Sequence, residues 1–344
     1  MAKVVRFDAS RSASVIDAPD PDMAADQVRI RTLYSGISAG TELTAYRGTN
    51  PYLNSRWDNE ARLFVPGEST FAYPVDGWGY EEVGEVVEVG AEATGVEVGD
   101  VIWGAWGHRE VVVRSADYAS ARILPSGVPP IRGIFSHIGA IALNGILDAD
   151  IHLGETVAVF GVGVPGQLVA QLARLNGARV IAVDREPSRL EMAAKLGAHH
   201  VIDATAGSVA EQIRDLTEGH GADVCLEYSG AYPALHEAIR SVAYSSRVVV
   251  GGFFQGESQG LRLGEEAHHN RVQLTVSQIS GVAPHLQHRW NEYRLQRTAI
   301  DLAVSGRLEV EPLISRRVPA DDAPSAFGLL DRDPSAALQI VLEY

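Results

Sequence analysis

The feature that most constrains this chain is a glycine-rich turn between a buried apolar strand and a helix. The segment TVAVFGVGVPGQLVAQLARLNG, from Thr156 to Gly177, has the pattern of strand, turn and helix, with Gly177 placed to end the helix. Gly161, Gly163 and Gly166 give the spacing G-x-G-x-x-G. The spacing alone is weak evidence, but in this strand–turn–helix setting it predicts a dinucleotide-binding unit.

The three glycines have different predicted tasks. Gly161 permits the tight turn, Gly163 lets the backbone approach a pyrophosphate, and Gly166 allows close packing of helix and strand. The helix begins near Val164 and Pro165. Its unpaired N–H groups and positive dipole end would face the phosphates, so both residues are predicted cofactor contacts.

An acidic residue ends the next strand, ARVIAVD. The carboxylate of Asp184 would accept hydrogen bonds from the adenosine ribose hydroxyls and would repel a 2′-phosphate. We therefore predict NAD(H) rather than NADP(H). Arg185 leaves the alternative open, because an adjacent guanidinium could bind that phosphate. Arg189 is predicted beside the adenosine, and a purely structural Asp184 that caps the next helix is the competing interpretation.

The rest of the chain divides by its hydrophobic pattern. Residues 1–125 show many short strands with few helix signals. From about 138 to 281, strands alternate with helices, which is typical of βαβ units and a parallel sheet. The tail from about 282 breaks this rhythm with a helix, a strand–loop–helix and a closing strand. The predicted fold class is α/β, a β-rich domain joined to a doubly wound parallel sheet.

Composition excludes several classes of function. The net charge of −15 over 344 residues argues against a nucleic-acid backbone or an anionic membrane as partner. The one cysteine, Cys225, rules out an intrachain disulfide or a cysteine-rich zinc site. No signal-peptide pattern opens the sequence and no long apolar run follows, so we predict a cytoplasmic protein.

Four stretches resemble the medium-chain dehydrogenase/reductase superfamily, the group of zinc alcohol dehydrogenases and quinone reductases. They are GYEEVGEVVEVG (79–90), VGDVIWG (98–104), the nucleotide turn, and GADVCLEYSG followed by RVVVGGF. The resemblance implies a GroES-like β-barrel domain over 1–137 and 282–344, a Rossmann domain over 138–281, and an active site in the cleft. It also implies cofactor contacts at Ser229, Gly252 and Ser280, and a homodimer formed through the strand in VQLTVSQISG.

The resemblance further indicates where a catalytic zinc would bind, and the residues there are different. In YSGISAGTELTAYRG (34–48) the cysteine position holds Ser38 or Ala39, the histidine position holds Tyr80, and the third position holds His137. Alanine and neutral tyrosine are not zinc ligands and serine is a poor one. We predict no catalytic zinc. The pair SGISAGTE and GYEEVG is similar to a zinc-lacking branch typified by bacteriochlorophyllide-type dehydrogenases.

Without a metal, a side chain must supply or take up the proton that accompanies hydride transfer. Thr41 matches the hydroxyl that relays this proton in the superfamily, and Tyr80, Glu81 and His137 surround the predicted metal position. A Tyr80–His137 or Glu81–His137 pair is the predicted acid/base. Each of these residues also has a purely structural alternative. Thr41 could be a hydroxyl in a turn, and Tyr80 could be an aromatic ring that fills space. Glu81 could be a buried acid paired with a cation, and His137 could be a histidine whose hydrogen bonds are met within the protein. Ser38 is interpreted as a turn residue.

The long segment between Thr41 and Gly79 is rich in aromatic residues and is predicted to form a lid or pocket wall. Trp57, Trp103, His108 and Asn144 are predicted to line a pocket for a sugar, a cyclitol or a fused-ring substrate. The alternative is that the segment covers the barrel or makes an oligomer contact.

The leading interpretation is a zinc-independent NAD(H)-dependent oxidoreductase that acts on a secondary alcohol or its ketone, a small-molecule substrate. A quinone-reductase-like enzyme that reduces an activated double bond is the second. A nucleotide-binding protein without catalytic activity is the third.

Overall fold

The computed structural model describes residues 1–67, 69 and 71–344. The chain forms two compact units. The first combines Met1–His137 with Ile314–Tyr344, and the second is Ile138–Leu313.

The first unit is mainly β-structure. Its strands are β1 (Ala2–Ala9), β2 (Ser12–Ala18), β3 (Gln27–Gly36), β4 (Arg56–Asp58), β5 (Leu63–Val65), β6 (Val75–Asp76), β7 (Glu82–Val89), β8 (Val101–Gly104), β9 (Val111–Ser115), β16 (Ile314–Pro319) and β17 (Gln339–Glu343). Its α-helices are α1 (Glu42–Arg47), α2 (Ala116–Ser120) and α9 (Ala323–Arg332), with short 3₁₀ helices at Pro51–Leu53, Pro130–Ile134 and Ala320–Asp322.

The long strand β3 organises the first unit. It pairs antiparallel with β7, β9 and β17, so the C-terminal tail completes a sheet that begins near the N-terminus. A core of aliphatic and aromatic side chains, including Phe7, Tyr46 and Phe327, packs α1 and α9 against this β-structure. The segment Ile314–Tyr344 is therefore part of the same core.

The second unit alternates strands and helices. Its strands are β10 (Thr156–Phe160), β11 (Arg179–Asp184), β12 (His200–Asp203), β13 (Ala222–Glu227), β14 (Val242–Val250) and β15 (Gln273–Val276). Its α-helices are α3 (Phe135–Ala149), α4 (Val164–Leu175), α5 (Pro187–Lys195), α6 (Val209–Leu216), α7 (Tyr232–Ser241) and α8 (Glu292–Val304). The first three residues of α3 belong to the first unit. Shorter turns are a π-helical one at Leu263–Ala267 and 3₁₀ helices at Pro284–Leu286 and Glu311–Leu313.

The six strands of the second unit form one parallel sheet in the order β12-β11-β10-β13-β14-β15. This is the doubly wound order of dinucleotide-binding domains, in which ligands bind at the carboxyl ends of the strands. The first turn at that edge is the glycine-rich one between β10 and α4. The α/β fold class with a parallel Rossmann sheet is confirmed.

The division of the chain differs from the predicted one at residues 282–313, which the structure groups with the second unit. A methyl group on Gly139 of α3 would lie 2.7 Å from the Cβ of Ala299, so α8 packs tightly on α3. The side chain of Gln171 also bonds both the N–H and the carbonyl of Glu309. These contacts join distant segments, and the sequence pattern alone gives no sign of them.

The segment between Thr41 and Gly79 contains more regular structure than the predicted lid loop. It holds α1, a 3₁₀ turn, the hairpin of β4 and β5, and β6. One helical stretch, Pro130–Ala149, has the length and apolarity to cross a membrane, but it is mostly buried inside the protein.

Candidate functional site

The nucleotide turn in the second unit depends on its glycines in three ways. Gly161 has φ +82°, and a Cβ there would lie 2.5 Å from the backbone nitrogen of Ser229. A Cβ on Gly166 would lie 1.9 Å from the carbonyl oxygen of Gly161. A Cβ on Gly163 would meet nothing within 4 Å. Two glycines are therefore needed by the fold itself, and the third leaves open space at the start of α4.

Asp184 lies at the carboxyl end of β11 with 6% of its surface exposed. Its Oδ2 accepts the N–H of Val162 at 2.8 Å, and its Oδ1 accepts the N–H groups of Arg185 and Glu186 at 2.8 and 3.0 Å. A carboxylate has about four lone-pair sites. Asp184 therefore holds the turn after β11 and does not cap α5, whose N-cap is Glu186. Acceptor capacity remains for a ribose hydroxyl.

Arg185 and Arg189 differ in their surroundings. The Arg185 side chain is 79% exposed, with its guanidinium 3.6 Å from Glu186. Arg189 lies 3.9 Å from Asp184 Oδ2, and its carbonyl accepts a hydrogen bond from Gln167. Arg185 is therefore the more accessible cation beside Asp184.

The other predicted cofactor positions surround the ends of β13 and β15. Ser229 and Ser280 are exposed, and both nitrogen and hydroxyl of Ser280 bond the side chain of Gln278. Gly252 lies so close to Gly230 that a Cβ added to Gly252 would be 2.5 Å from the backbone nitrogen of Gly230. The buried Glu227 accepts bonds from the Ser229 hydroxyl and N–H, and burial raises the pKa of Glu227 to about 7.

Asn144 does not line a pocket, contrary to the prediction. It is 1% exposed, and its amide nitrogen donates to the carbonyl of Gly281 at 3.0 Å. Longer contacts of 3.4 Å reach Ser277, Gln278 and Asp148. Asn144 thus holds the loop that follows β15, within the second unit.

In the first unit, the residues at the predicted metal position form a hydroxyl cluster. The hydroxyls of Ser38 and Tyr80 are in direct hydrogen-bond contact, and the Tyr80 hydroxyl donates to Thr41 Oγ1 at 3.2 Å. The His137 ring packs on the Tyr80 ring with centroids 4.7 Å apart. Burial raises the pKa of Tyr80 above its ordinary value, so the phenol keeps its proton. Ser38 is therefore a partner of Tyr80 and more than a turn residue.

Glu81 is completely buried next to this cluster. Its Oε2 accepts the amide of Gln339 at 3.2 Å, and its Oε1 has no hydrogen-bond partner among the described residues. The predicted cationic partner is absent from the described part of the chain. Burial, followed by the charges of Glu42 and Glu82, raises the pKa of Glu81 well above its ordinary value.

Two more buried carboxyls share one imidazole. Glu42 Oε2 lies 2.6 Å from His108 Nε2, and His108 Nδ1 lies 2.5 Å from the Ser35 hydroxyl, which donates to Glu82 at 3.2 Å. Burial lowers the pKa of His108, but the carboxylates of Glu42 and Glu82 outweigh it and the net pKa is raised. His108, predicted as a pocket residue, instead neutralises buried acids.

Trp103 is also wrongly predicted as a pocket residue. It is 1% exposed, with the Arg122 guanidinium 5.3 Å from its ring. Trp57 is partly exposed on the hairpin of β4 and β5, where it packs on Phe64 at 5.1 Å. Of the four predicted pocket residues, Trp57 alone keeps a surface that a ligand could reach.

Comparison with known proteins shows which proteins the chain is similar to. A family model described as zinc-binding dehydrogenase matches residues 163–297. D-guloside 3-dehydrogenase of Escherichia coli (strain K12) is 28% identical over 339 residues, which cover 96% of this chain and 97% of that protein. This similarity along nearly the whole chain agrees with the resemblance to the medium-chain dehydrogenase/reductase superfamily.

Solved structures of this superfamily share the fold along the whole chain. The 2R,3R-butanediol dehydrogenase of Bacillus subtilis is 22% identical with a TM-score of 0.79, and all of both chains is covered. A candidate zinc-binding dehydrogenase of Sinorhizobium meliloti 1021, solved bound to NADP, is 24% identical with a TM-score of 0.78, covering 100% of this chain and 99% of that one. These structures show the shared fold, and the similarity to a sugar dehydrogenase along nearly the whole chain supports an oxidoreductase.

The positions that the resemblance assigns to a catalytic zinc hold a poor set of metal donors. The matched family segment, 163–297, contains none of the predicted ligand positions. Of the predicted ligand positions, His137 alone carries an ordinary zinc donor, since serine is a poor ligand and the buried Tyr80 phenol keeps its proton. The described part of the chain contains one group of three potential metal ligands whose donor atoms lie within 4.8 Å of one another. It consists of His236, Glu265 and Glu266 in the second unit.

The buried acids give the protein an unusual pH dependence of stability. The pKa values of Glu81 and Glu82 are raised from 4.5, and that of His108 from 6.5, so the folded state binds more protons than the unfolded state. The stabilisation is present below those ordinary values and is lost as pH rises through the raised ones. We expect the free energy of unfolding in urea to fall as pH rises from the ordinary values of these groups through their raised pKa values. Glu81→Gln should flatten this slope, and a stability that rises across the interval would contradict the argument.

Proposed function

We propose that this chain is a zinc-independent NAD(H)-dependent oxidoreductase that transfers a hydride between nicotinamide and a secondary alcohol or its ketone. One observation carries the proposal, the bonded hydroxyls of Ser38, Tyr80 and Thr41 at the positions where a metal would otherwise polarise the substrate oxygen. When bound, nicotinamide gives or takes the hydride. Tyr80 donates the proton to the carbonyl oxygen, or passes it inward in the oxidative direction. The similarity to a zinc-lacking branch agrees with this choice.

The preference for NAD(H) rests on Asp184. Its carboxylate is fixed by three backbone N–H groups and has acceptor capacity left for a ribose hydroxyl, whereas a 2′-phosphate beside it would be repelled. Arg185 is the residue that could reverse this preference, because its exposed guanidinium could bind a 2′-phosphate. Gly161, Gly163, Val164, Pro165 and Gly166 would form the phosphate site.

The proposed substrate is a ring bearing a secondary hydroxyl, such as a sugar or cyclitol derivative. The similarity to D-guloside 3-dehydrogenase over nearly the full length supports this class. Trp57 offers a partly exposed aromatic surface of the kind that sugars pack on.

We further propose a cytoplasmic homodimer. Strand β15 lies at the edge of the parallel sheet with all four residues exposed, among them Leu274 and Val276. An unpaired apolar edge of this kind invites pairing with another strand. Sedimentation equilibrium of the purified protein measures the assembly, and a monomer at micromolar concentration would contradict it.

The experiment that tests the function combines metal analysis, cofactor titration and turnover. The purified protein should contain far less than one zinc per chain and should keep its activity in chelator. NADH should bind more tightly than NADPH by about tenfold or more. Arg185→Ala should not lower the affinity for NADH. The turnover panel holds glycosides, simple secondary alcohols, ketones and enones.

The outcomes separate the three interpretations. Oxidation of a ring hydroxyl supports the proposal, and one zinc per chain with loss of activity in chelator would overturn it. Activity confined to enones, with preference for NADPH, identifies a quinone-reductase-like enzyme. Tight NADH binding without turnover of any substrate identifies a nucleotide-binding protein.

A further inference from the structure

A histidine and two consecutive glutamates come together in the second unit, away from the glycine-rich turn in sequence. His236 lies in the middle of α7, and Glu265 and Glu266 lie in the π-helical turn Leu263–Ala267. One donor atom from each of the three side chains lies within 4.8 Å of the other two. The fold therefore gathers one imidazole and two carboxylates at a single point.

The backbone of the turn explains how two neighbouring glutamates reach the same imidazole. On a regular helix, consecutive side chains point about 100° apart and do not face one another. Glu265 interrupts the helical pattern with φ −93° and ψ −120°. Both carboxylates consequently lie near His236, which is an arrangement that could chelate a cation.

Two atoms of this cluster have unused hydrogen-bonding capacity. His236 Nδ1 and Glu266 Oε2 are buried atoms, and neither has a hydrogen-bond partner among the described residues. They therefore bond neither each other nor a neighbouring group. Buried polar atoms without a partner are costly and indicate an ion or a water. When the imidazole carries its proton on Nε2, Nδ1 offers a lone pair, and a carboxylate oxygen always does.

The charges around the cluster favour a cation. Glu266 Oε1 lies 3.3 Å from Arg240 Nε, and Arg240 also binds Glu237 at 2.5 Å. A bond from its own backbone N–H, followed by Arg240, lowers the pKa of Glu266 against the effect of burial. Glu265 binds Arg262 at 3.3 Å, in an exposed ion pair that yields easily to a competing ligand. Three carboxylates thus share two guanidinium groups, and one negative charge is left over.

We propose that His236, Glu265 and Glu266 bind a divalent transition-metal ion of the Zn²⁺ type, which fastens the Leu263–Ala267 turn to α7. Imidazole nitrogen with carboxylate oxygen suits such ions, whereas Mg²⁺ and Ca²⁺ take oxygen ligands. Two ligands of one zinc ion lie at most about 4.2 Å apart, twice a bond of about 2.1 Å. The donor atoms therefore need to approach by less than about 1 Å, which rotation of the exposed Glu265 allows. Water would fill the remaining positions.

This ion would act on stability and has no part in the proposed hydride transfer. The site shares no residue with the hydroxyl cluster of the first unit. A ligand that binds the folded chain alone raises its stability by mass action. Because both glutamates also bind arginines, we expect a dissociation constant of about 1–100 µM. Chelator and dialysis would then remove the ion during purification.

Calorimetric titration of the chelator-treated full chain with ZnCl₂ tests the site. Wild type should bind one Zn²⁺ through these ligands, and MgCl₂ and CaCl₂ should bind at least about tenfold more weakly. His236→Gln should lower the zinc affinity by about 100-fold or more, since loss of a residue behind a ligand already costs about 10–100-fold. Glu265→Gln should also lower it.

His268→Gln is the matched control. His268 is an exposed histidine just after the same turn, it packs on the ring of His269, and it lies outside the group of three ligands. We expect this variant to keep the wild-type zinc affinity. Equal affinities in wild type, His236→Gln and His268→Gln would mean adventitious binding and overturn the proposal. Affinity lost in His137→Gln and kept in His236→Gln would also overturn it and would place zinc in the first unit.

Thermal melting gives a second readout that needs neither a substrate nor turnover. Saturating ZnCl₂ should raise the melting temperature of the wild type by about 2 °C or more. His236→Gln should lose this shift and should bind NADH as the wild type does. The same shift in both proteins, or none in the wild type, overturns the proposal and leaves the proposed oxidoreductase function untouched.

Discussion

Gly166→Ala is expected to abolish NADH binding and to lower the melting temperature of the protein. The added Cβ would lie 1.9 Å from the carbonyl oxygen of Gly161, so the turn and α4 must move apart. Overpacking of this kind costs about 1–3 kcal/mol and often more when the obstacle is backbone. Differential scanning calorimetry and fluorescence titration with NADH measure the two effects.

Gly163→Ala is the matched control for this prediction. Its Cβ meets nothing within 4 Å and its φ is −65°, so an alanine fits the protein without strain. The methyl group would occupy the space where the backbone is proposed to approach the pyrophosphate. We expect an unchanged melting temperature with a loss of NADH affinity of about tenfold or more. If Gly163→Ala bound NADH normally, the proposed phosphate site would be wrong.

The nucleotide turn was predictable because its determinants are local. Strand, glycines, helix and Asp184 follow one another within 29 residues of sequence, from Thr156 to Asp184, and each has a distinct pattern. The rules for βαβ connections then predict a parallel sheet with right-handed crossovers, and the strand order comes from the structure. The same short segment sets which of the turn glycines are tightly packed and how far Asp184 is buried.

The first unit was harder to predict because its site is built from distant residues. Glu42 meets His108 across 66 positions, and Glu81 meets Gln339 across 258. A single sequence shows each as an ordinary polar residue. The available signal was local polarity, since Glu42 lies just before the apolar LTAY and Glu81 and Glu82 just before a valine-rich strand. Polar residues at the start of buried elements need partners, which would have favoured a buried network over a pocket for His108.

Tyr80→Phe is expected to lower kcat by about 10²–10⁴-fold in both directions, which is the range for loss of a positioned proton donor. The phenyl ring retains the packing on His137, and among the described residues the lost hydroxyl bonds only Ser38 and Thr41. The cost in stability should therefore stay near about 1 kcal/mol, and NADH binding should not change. Steady-state kinetics in both directions and a urea melt measure these effects.

His137→Phe separates a single proton donor from a Tyr80–His137 pair. It keeps an aromatic ring against Tyr80 and removes the ring nitrogens. Full activity in His137→Phe together with the loss in Tyr80→Phe identifies Tyr80 alone as the proton donor. Equal losses in the two variants identify the Tyr80–His137 pair. If both variants and His137→Ala keep full turnover, the hydroxyl cluster only fills space, and the proton of the reaction must be handled by a residue elsewhere.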